Sequence, residues 1–211
     1  MMGRKLLIII ILLSSFAASA PARVLPSGPP FNRFRVGVEW GYTQCLFGYR
    51  DYNFFSEEGY RVYDRSYGFH WASNAQLTLQ VGYALGERHL VSLLGGYIGM
   101  GKDNRLIPVA ARYTFFPRSL YEDGFFAYAQ AGAAWHFYSM AGQTALLGAG
   151  GAGYRFRLSD DCSIDLLVGL KYLRDHPKLI DPDRGINVPE HNIRKNVAGY
   201  CALDISIAVS F

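Results

Sequence analysis

The side chains of this chain that could attack, ligate or shuttle protons are few: five histidines, three cysteines and scattered serines and carboxylates. Hydrolysis by a serine nucleophile needs a histidine base and an orienting carboxylate converging on one face. On an extended strand that demands a spacing of two. His136 and Ser139 are three apart, as are His70 and Ser73, so each pair points to opposite faces. His176 and His191 fall in a segment read below as a loop. Cys45, Cys162 and Cys201 are odd in number and far apart. They have neither the density of a disulfide framework nor the CxxC spacing of a metal knuckle, and read as packing residues.

Two glycine motifs invite a nucleotide, and both fail on context. Gly148, Gly150 and Gly153 match GxGxxG, but a dinucleotide fingerprint opens a helix inside a βαβ unit. Here Tyr154-Arg155-Phe156-Arg157-Leu158 follows and alternates like a strand. Residues 96–102 match GxxxxGK, yet Asp103 stands where a magnesium-binding Ser or Thr is required. No cofactor and no metal is expected.

More informative are the charges embedded in alternating apolar segments: Arg35, Glu39, Arg112, Arg155, Asp165, Lys171 and Asp204. The closing segment shows their setting. Val197, Gly199, Cys201, Leu203, Ile205, Ile207, Val209 and Phe211 form one face; Ala198, Tyr200, Ala202, Asp204, Ser206, Ala208 and Ser210 form the other. A period of two is a β-strand, here apolar on one side and small or polar on the other. Such a strand fits a wall between lipid and a barrel interior.

Eight segments of this kind recur, at 34–47, 67–83, 89–98, 106–116, 125–138, 144–158, 162–174 and 196–211. Short turns at 85–88, 117–124 and 159–161 fall at one end. The other end has long links at 48–66 and 175–195 and shorter ones at 99–105 and 139–143. An even strand count with tight turns on one side predicts an all-β fold, an eight-stranded antiparallel up-and-down transmembrane β-barrel. A lumen that narrow holds only side chains. The seven charges therefore face inward and must neutralise one another as a structural plug. A soluble barrel would instead turn its apolar face inward and carry conspicuous Lys and Glu outside.

Residues 1–5 are basic, 6–13 a continuous apolar run and 14–22 small and neutral. That is a secretory signal peptide with cleavage near 17–22, leaving 23–211 as the barrel domain. The run at 6–13 is the only long apolar one, so no helix is expected to cross a membrane in the mature chain. Losing Arg4 and Lys5 lowers a formal charge that is only +4 to begin with. Such a balance does not suggest nucleic acid as a partner, and none is expected. The 15 Tyr, 14 Phe and 3 Trp supply rings for two interfacial belts.

Four features together resemble a known family: the signal peptide, the strand from Ile107-Pro108-Val109 to Tyr113-Thr114-Phe115-Phe116, the Gly-rich strand reaching Tyr154-Arg155-Phe156, and the terminal Phe211. They are similar to the small outer-membrane β-barrel proteins abundant in Bacteroidota-type Gram-negative bacteria. The resemblance covers nearly the whole mature chain, but that family shares no catalytic residues, so none carries over. It implies export to the bacterial outer membrane, contact with outer-membrane lipids, and Phe211 as the signal read by the barrel-assembly machinery.

The function expected is that of a non-enzymatic outer-membrane barrel. Its surface loops would bind an extracellular ligand or serve adhesion, or the barrel would have an envelope-structural role. The 48–66 link holds Tyr49, Tyr52, Phe54, Phe55, Tyr60, Arg61 and Tyr63, and aromatic and Arg side chains dominate binding hot spots. The alternatives are a lipid A-modifying esterase or deacylase and a narrow channel for small solutes.

Overall fold

The computed structural model describes residues 33–101, 104–137 and 144–211. Eight strands follow one another: β1 (Phe34–Phe55), β2 (Arg61–Ala84), β3 (His89–Met100), β4 (Asn104–Phe115), β5 (Gly124–His136), β6 (Thr144–Arg157), β7 (Ser163–Asp175) and β8 (Ile193–Ser210). Each pairs antiparallel with the next, and β8 closes on β1. Among the described residues the only helical piece is a 3₁₀ turn, Glu190–Asn192. The expected signal peptide, like Lys102, Asp103 and Ser139, lies outside the described residues.

β3 to β8 start and stop close to the expected positions, but the 48–66 link does not form a loop. β1 runs on to Phe55 and β2 begins at Arg61, so only Ser56–Tyr60 turns. Gly59 takes the left-handed conformation at φ 88°, and its N–H donates to the Ser56 carbonyl at 2.9 Å. This is a tight hairpin turn whose αL position requires glycine. The strand was hidden because aromatic residues occupy both its faces, which erases the period of two. An irregularity between Cys45 and Phe47 also shifts the register. Odd-numbered residues of β1 face inward up to Cys45, whereas Phe47 beyond it is exposed.

Following the pairing once around the ring shows the tilt. Gly37 leads through Gln80, Leu94, Ala110, Gly132, Leu147, Leu173 and Tyr200 back to β1 at Gly48, well above the start. Strands in such a ring lean strongly from its axis. The outward face is apolar all round, with Val36, Leu79, Leu93, Val109, Leu146, Val168 and Ile205 exposed. The interior has apolar layers at each end. Ile98, Met100, Leu106, Leu147 and Leu173 fill the end near the β1–β2 hairpin. Leu90, Phe116, Leu120, Phe126 and Leu167 fill the end near the chain termini.

The GxGxxG segment lies inside β6, paired to strands on both sides. A Cβ at Gly151 would strike the Val168 carbonyl oxygen and lie 3.0 Å from the Tyr128 ring, and one at Gly153 would strike the Phe126 ring. These glycines admit aromatic rings to the lumen. Gly41 answers a tighter need at the seam between β1 and β8. A Cβ there would lie 2.5 Å from the Ile205 carbonyl oxygen and 2.8 Å from Ser206 Cα. Gly41→Val should therefore cost about 1–3 kcal/mol by overpacking. Urea unfolding in detergent, followed by the gel-mobility shift between folded and unfolded barrel, checks it.

Candidate functional site

At mid-height the lumen holds one continuous polar network. Arg112 Nη1 donates to Glu39 Oε2 at 2.6 Å, and its Nε and Nη2 donate to Gln130 Oε1 at 3.1 and 2.9 Å. Ser206 Oγ donates to Glu39 Oε1 at 2.9 Å. Gln76 Nε2 bridges Glu39 Oε1 at 3.3 Å and Asp204 Oδ2 at 3.1 Å. Lys171 Nζ reaches Asp204 Oδ1 at 3.2 Å and also donates to Gln76 Oε1. Thr43 Oγ1 completes the Asp204 shell at 3.2 Å. The Arg112 guanidinium lies 4.8 Å over the Tyr128 ring. The network joins β1, β2, β4, β5, β7 and β8. Every charge in it is buried.

Nearer the termini Arg155 grips Asp165 bidentately at 2.7 and 2.6 Å and donates to the Leu120 carbonyl at 3.0 Å. Its guanidinium stacks 4.5 Å over Phe116. Arg35 is buried as well, 5.4 Å over the Tyr121 ring, and its Nε has no hydrogen-bond partner. The structure thus brings six of the seven charges named from sequence into three ion pairs, Arg112–Glu39, Arg155–Asp165 and Lys171–Asp204, and leaves Arg35 outside them.

Sequence spacing gave no sign of a fourth pair near the hairpin end of the lumen. His136 Nε2 lies 2.9 Å from Asp175 Oδ1, although the two residues sit on β5 and β7. Asp175 is fully buried and also accepts the His176 N–H at 2.8 Å. No serine, threonine or cysteine hydrogen-bonds to His136 among the described residues.

Beyond the lumen, the 175–195 link folds against the β1–β2 hairpin. The Asp181 carboxylate is buried there. Its Oδ2 accepts Ser56 Oγ at 2.9 Å and the Glu57 N–H at 3.0 Å; its Oδ1 accepts the Asp183 and Arg184 N–H groups at 3.0 and 3.4 Å. Tyr60 donates to Asp183, and Arg184 pairs with Glu57 at 2.8 Å. The run Asp181-Pro182-Asp183-Arg184-Gly185 is an Asx-type turn, a signal legible in principle from sequence. The Glu57 N–H, then those of Asp183 and the Ser56 hydroxyl, hold the Asp181 carboxyl below the ordinary carboxylate range, against the opposing pull of burial.

The candidate surface contacts separate accordingly. Phe54 is buried against Leu179 and Val188, with Tyr52 packed beside them, so neither is a free surface ring. Phe55 is half-buried with Arg194 over its face, and Arg61 Nε donates to Asn53 at 2.9 Å. Tyr49 stacks on Tyr67 at 6.3 Å. Only Tyr60, Arg61 and Tyr63 of the seven are exposed, and they lie on a hairpin rather than a flexible loop.

No protein-family model matches the chain, and no curated protein sequence matches it. Among solved structures it is similar to the outer membrane protein OprG from Pseudomonas aeruginosa, at 14% identity and a TM-score of 0.48 over 84% of this chain and 95% of that one. It is similar to Neisserial surface protein A at 14% identity and 0.38, over 85% and 98%. The outer membrane protease OmpT from Escherichia coli gives 9% and 0.36, over 88% and 99%. The likeness is one of shape and carries no residue correspondence.

Two outcomes are expected. Glu39→Ala leaves Arg112 buried without its carboxylate and should cost about 3–5 kcal/mol in urea unfolding, whereas the double replacement of Glu39 and Arg112 by leucine should cost less than either single change. Asp181 has a folded pKa below its unfolded one, so the clasp is at full strength above about pH 4 and is lost as pH falls through the folded value. Hydrogen exchange at residues 56–60 and 181–186, corrected for intrinsic rates, should therefore accelerate on acidification. Asp181→Ala should show that acceleration already at neutral pH.

Proposed function

We propose that this chain is an outer-membrane β-barrel without enzymatic activity that acts through the structured rim above its sealed lumen, binding an extracellular ligand or anchoring the envelope. The observation that carries the reading is the division of labour between faces. The lumen is filled by ion pairs and apolar layers, while the outward face exposes an apolar band between aromatic rings. On β2 that band runs from Tyr83 to Trp71, about 40 Å of strand or roughly 30 Å of height once tilted, close to the apolar belt plus its girdles of a membrane barrel. Rings cluster at both levels, with Phe34 against Tyr83 at 5.1 Å and Phe69 stacked on Trp71 at 5.6 Å. Exposed apolar surface of that extent is unstable in water and calls for lipid as the partner.

The same reading takes residues 1–22 as the export signal and the Bacteroidota-type small barrels as the chain's kin. It also assigns Phe211 to assembly. Phe211 exchanges backbone hydrogen bonds with Val36 at 2.8 and 3.0 Å, so the terminal residue closes the seam onto β1, and its ring is exposed on the lipid side. A ring so placed is available to the assembly machinery until the seam shuts.

One observation favours a second reading. His136–Asp175 is a base with its orienting carboxylate, two of the three groups an esterase or deacylase acting on lipid A would need. A narrow channel has less support, since the mid-lumen charges are all paired or stacked.

Trimming separates these readings. Replacing residues 48–66, or 176–192, with a short Gly/Ser turn should leave a folded, heat-resistant barrel that has lost surface binding, because strands set stability and outer segments carry recognition. Loss of a hydrolytic activity on His136→Ala, with both segments intact, would favour the enzyme. An unchanged phenotype in both trimmed forms would sink the binding reading.

A further inference from the structure

β2 outruns its neighbour. Its pairing with β3 begins only at Gln76, opposite Ile98, and β3 ends where the Gly101 carbonyl accepts Asn74 Nδ2 at 3.1 Å. Between residues 61 and 73, β2 is laddered to β1 on one side and to no strand among the described residues on the other. The β3–β4 connection joins Met100 to Asn104 and is too short to cover that length. The result is about 40 Å of strand edge with alternate N–H and C=O groups unladdered. Natural proteins blunt such edges with proline, lysine, a covering element or very short strands. Residues 61–73 contain no proline and no lysine, and their charges, Arg61, Asp64 and Arg65, all lie at the hairpin end, leaving 66–73 with none.

The two faces beside this edge differ. Tyr63, Arg65, Tyr67, Phe69 and Trp71 share one face, with Tyr67 67%, Phe69 60% and Trp71 72% exposed. The intervening Asp64, Ser66, Gly68 and His70 are small or polar. The rings are already fixed by each other: Phe47 meets Phe69 edge-on at 5.5 Å, and Arg65 lies 5.4 Å over Tyr67.

We propose that this edge receives an extended polypeptide segment from a partner outside the membrane, which adds as a further strand beside β2. The proposal rests on the surface-binding reading above and names its occupant. Main-chain hydrogen bonds would supply affinity and the ring face would supply selection. The segment it fits places aromatic or aliphatic residues over Tyr63 and Tyr67, beyond the Phe69 and Trp71 rings of the outer girdle, with a carboxylate in reach of Arg65 and small or polar residues between. A second copy in the same membrane does not fit. A two-fold axis along the membrane normal makes both β2 strands run in the same vertical sense and cross at twice their tilt, roughly 80°, which no ladder spans.

The test uses the full barrel in lipid nanodiscs and a synthetic nine-residue peptide alternating Val or Tyr with Thr, with one Glu on the Val/Tyr face to meet Arg65. Two N-methylated forms of that peptide are compared, one for each set of alternate residues. Laying the peptide as a strand turns one set of N–H groups toward β2 and the other away. One methylated form should therefore bind at least about tenfold more weakly than the parent, and the other should match it. The parent should also slow hydrogen exchange at alternate amides of residues 61–73, and Tyr63→Ser with Tyr67→Ser should weaken it. Failure of the parent peptide to bind, equal affinities or equal losses for the two methylated forms, or binding without new protection would each overturn the proposal. If trimming residues 48–66 still abolishes surface binding, that overturned result removes the edge and leaves the surface reading standing.

Discussion

Everything in this structure follows from the narrowness of an eight-stranded ring. A lumen that admits side chains but no column of water leaves a buried charge nothing to lean on except another side chain. Glu39, Arg112, Lys171 and Asp204 meet that demand together with Gln76, Gln130, Thr43 and Ser206, and in doing so tie six strands through their interior. Arg155 and Asp165 meet it locally, with Phe116 and the Leu120 carbonyl completing the cation's surroundings. The pairing is a requirement of burial before it is a source of stability, since two charges taken from water recover little beyond what desolvation costs them. Its consequence is a filled interior, which is why the proposed function places recognition on the outside.

Outside, the same strands carry two different surfaces. Where the ring is complete, the outward residues are Leu, Val, Ile and aromatic rings, the surface on which the proposed membrane setting rests. Where β8, β1 and β2 continue above it, the sheet has Asp51 paired to Lys195 at 2.5 Å and a hairpin clasped through Asp181 to the β7–β8 connection. The clasp matters because it removes conformational freedom before any partner arrives, which lowers the entropy lost on binding. The rim is a rigid extension of the barrel wall.

Much of this was legible in the residues. A period of two in β4, β7 and β8 is unbroken, so strand number, closure and the inward direction of the charged residues could be read directly. The misreading lay at residues 48–66, where Tyr52 and Phe54 on one face and Tyr49 on the other give no apolar and polar sides to compare. Both faces there are in use, one under the β7–β8 connection and one in the aromatic ladder. His136 and Asp175 escaped for a different reason. They come together across a strand and through the tilt of the ring, which pairs residues by shear rather than by spacing in the chain. What the glycines of β6 accommodate depends on the β5–β6 register, which sets Phe126 opposite Gly153 and Tyr128 opposite Gly151.

The central claim is that the lumen is sealed and the rim does the work. Single-channel recording of the purified barrel in a planar bilayer at high salt addresses it most directly. A lumen closed by paired charges and apolar layers should give no resolved conductance steps at either polarity. Stable, reproducible openings of the unmodified protein would show a continuous water path through the Glu39–Arg112 layer and contradict the account.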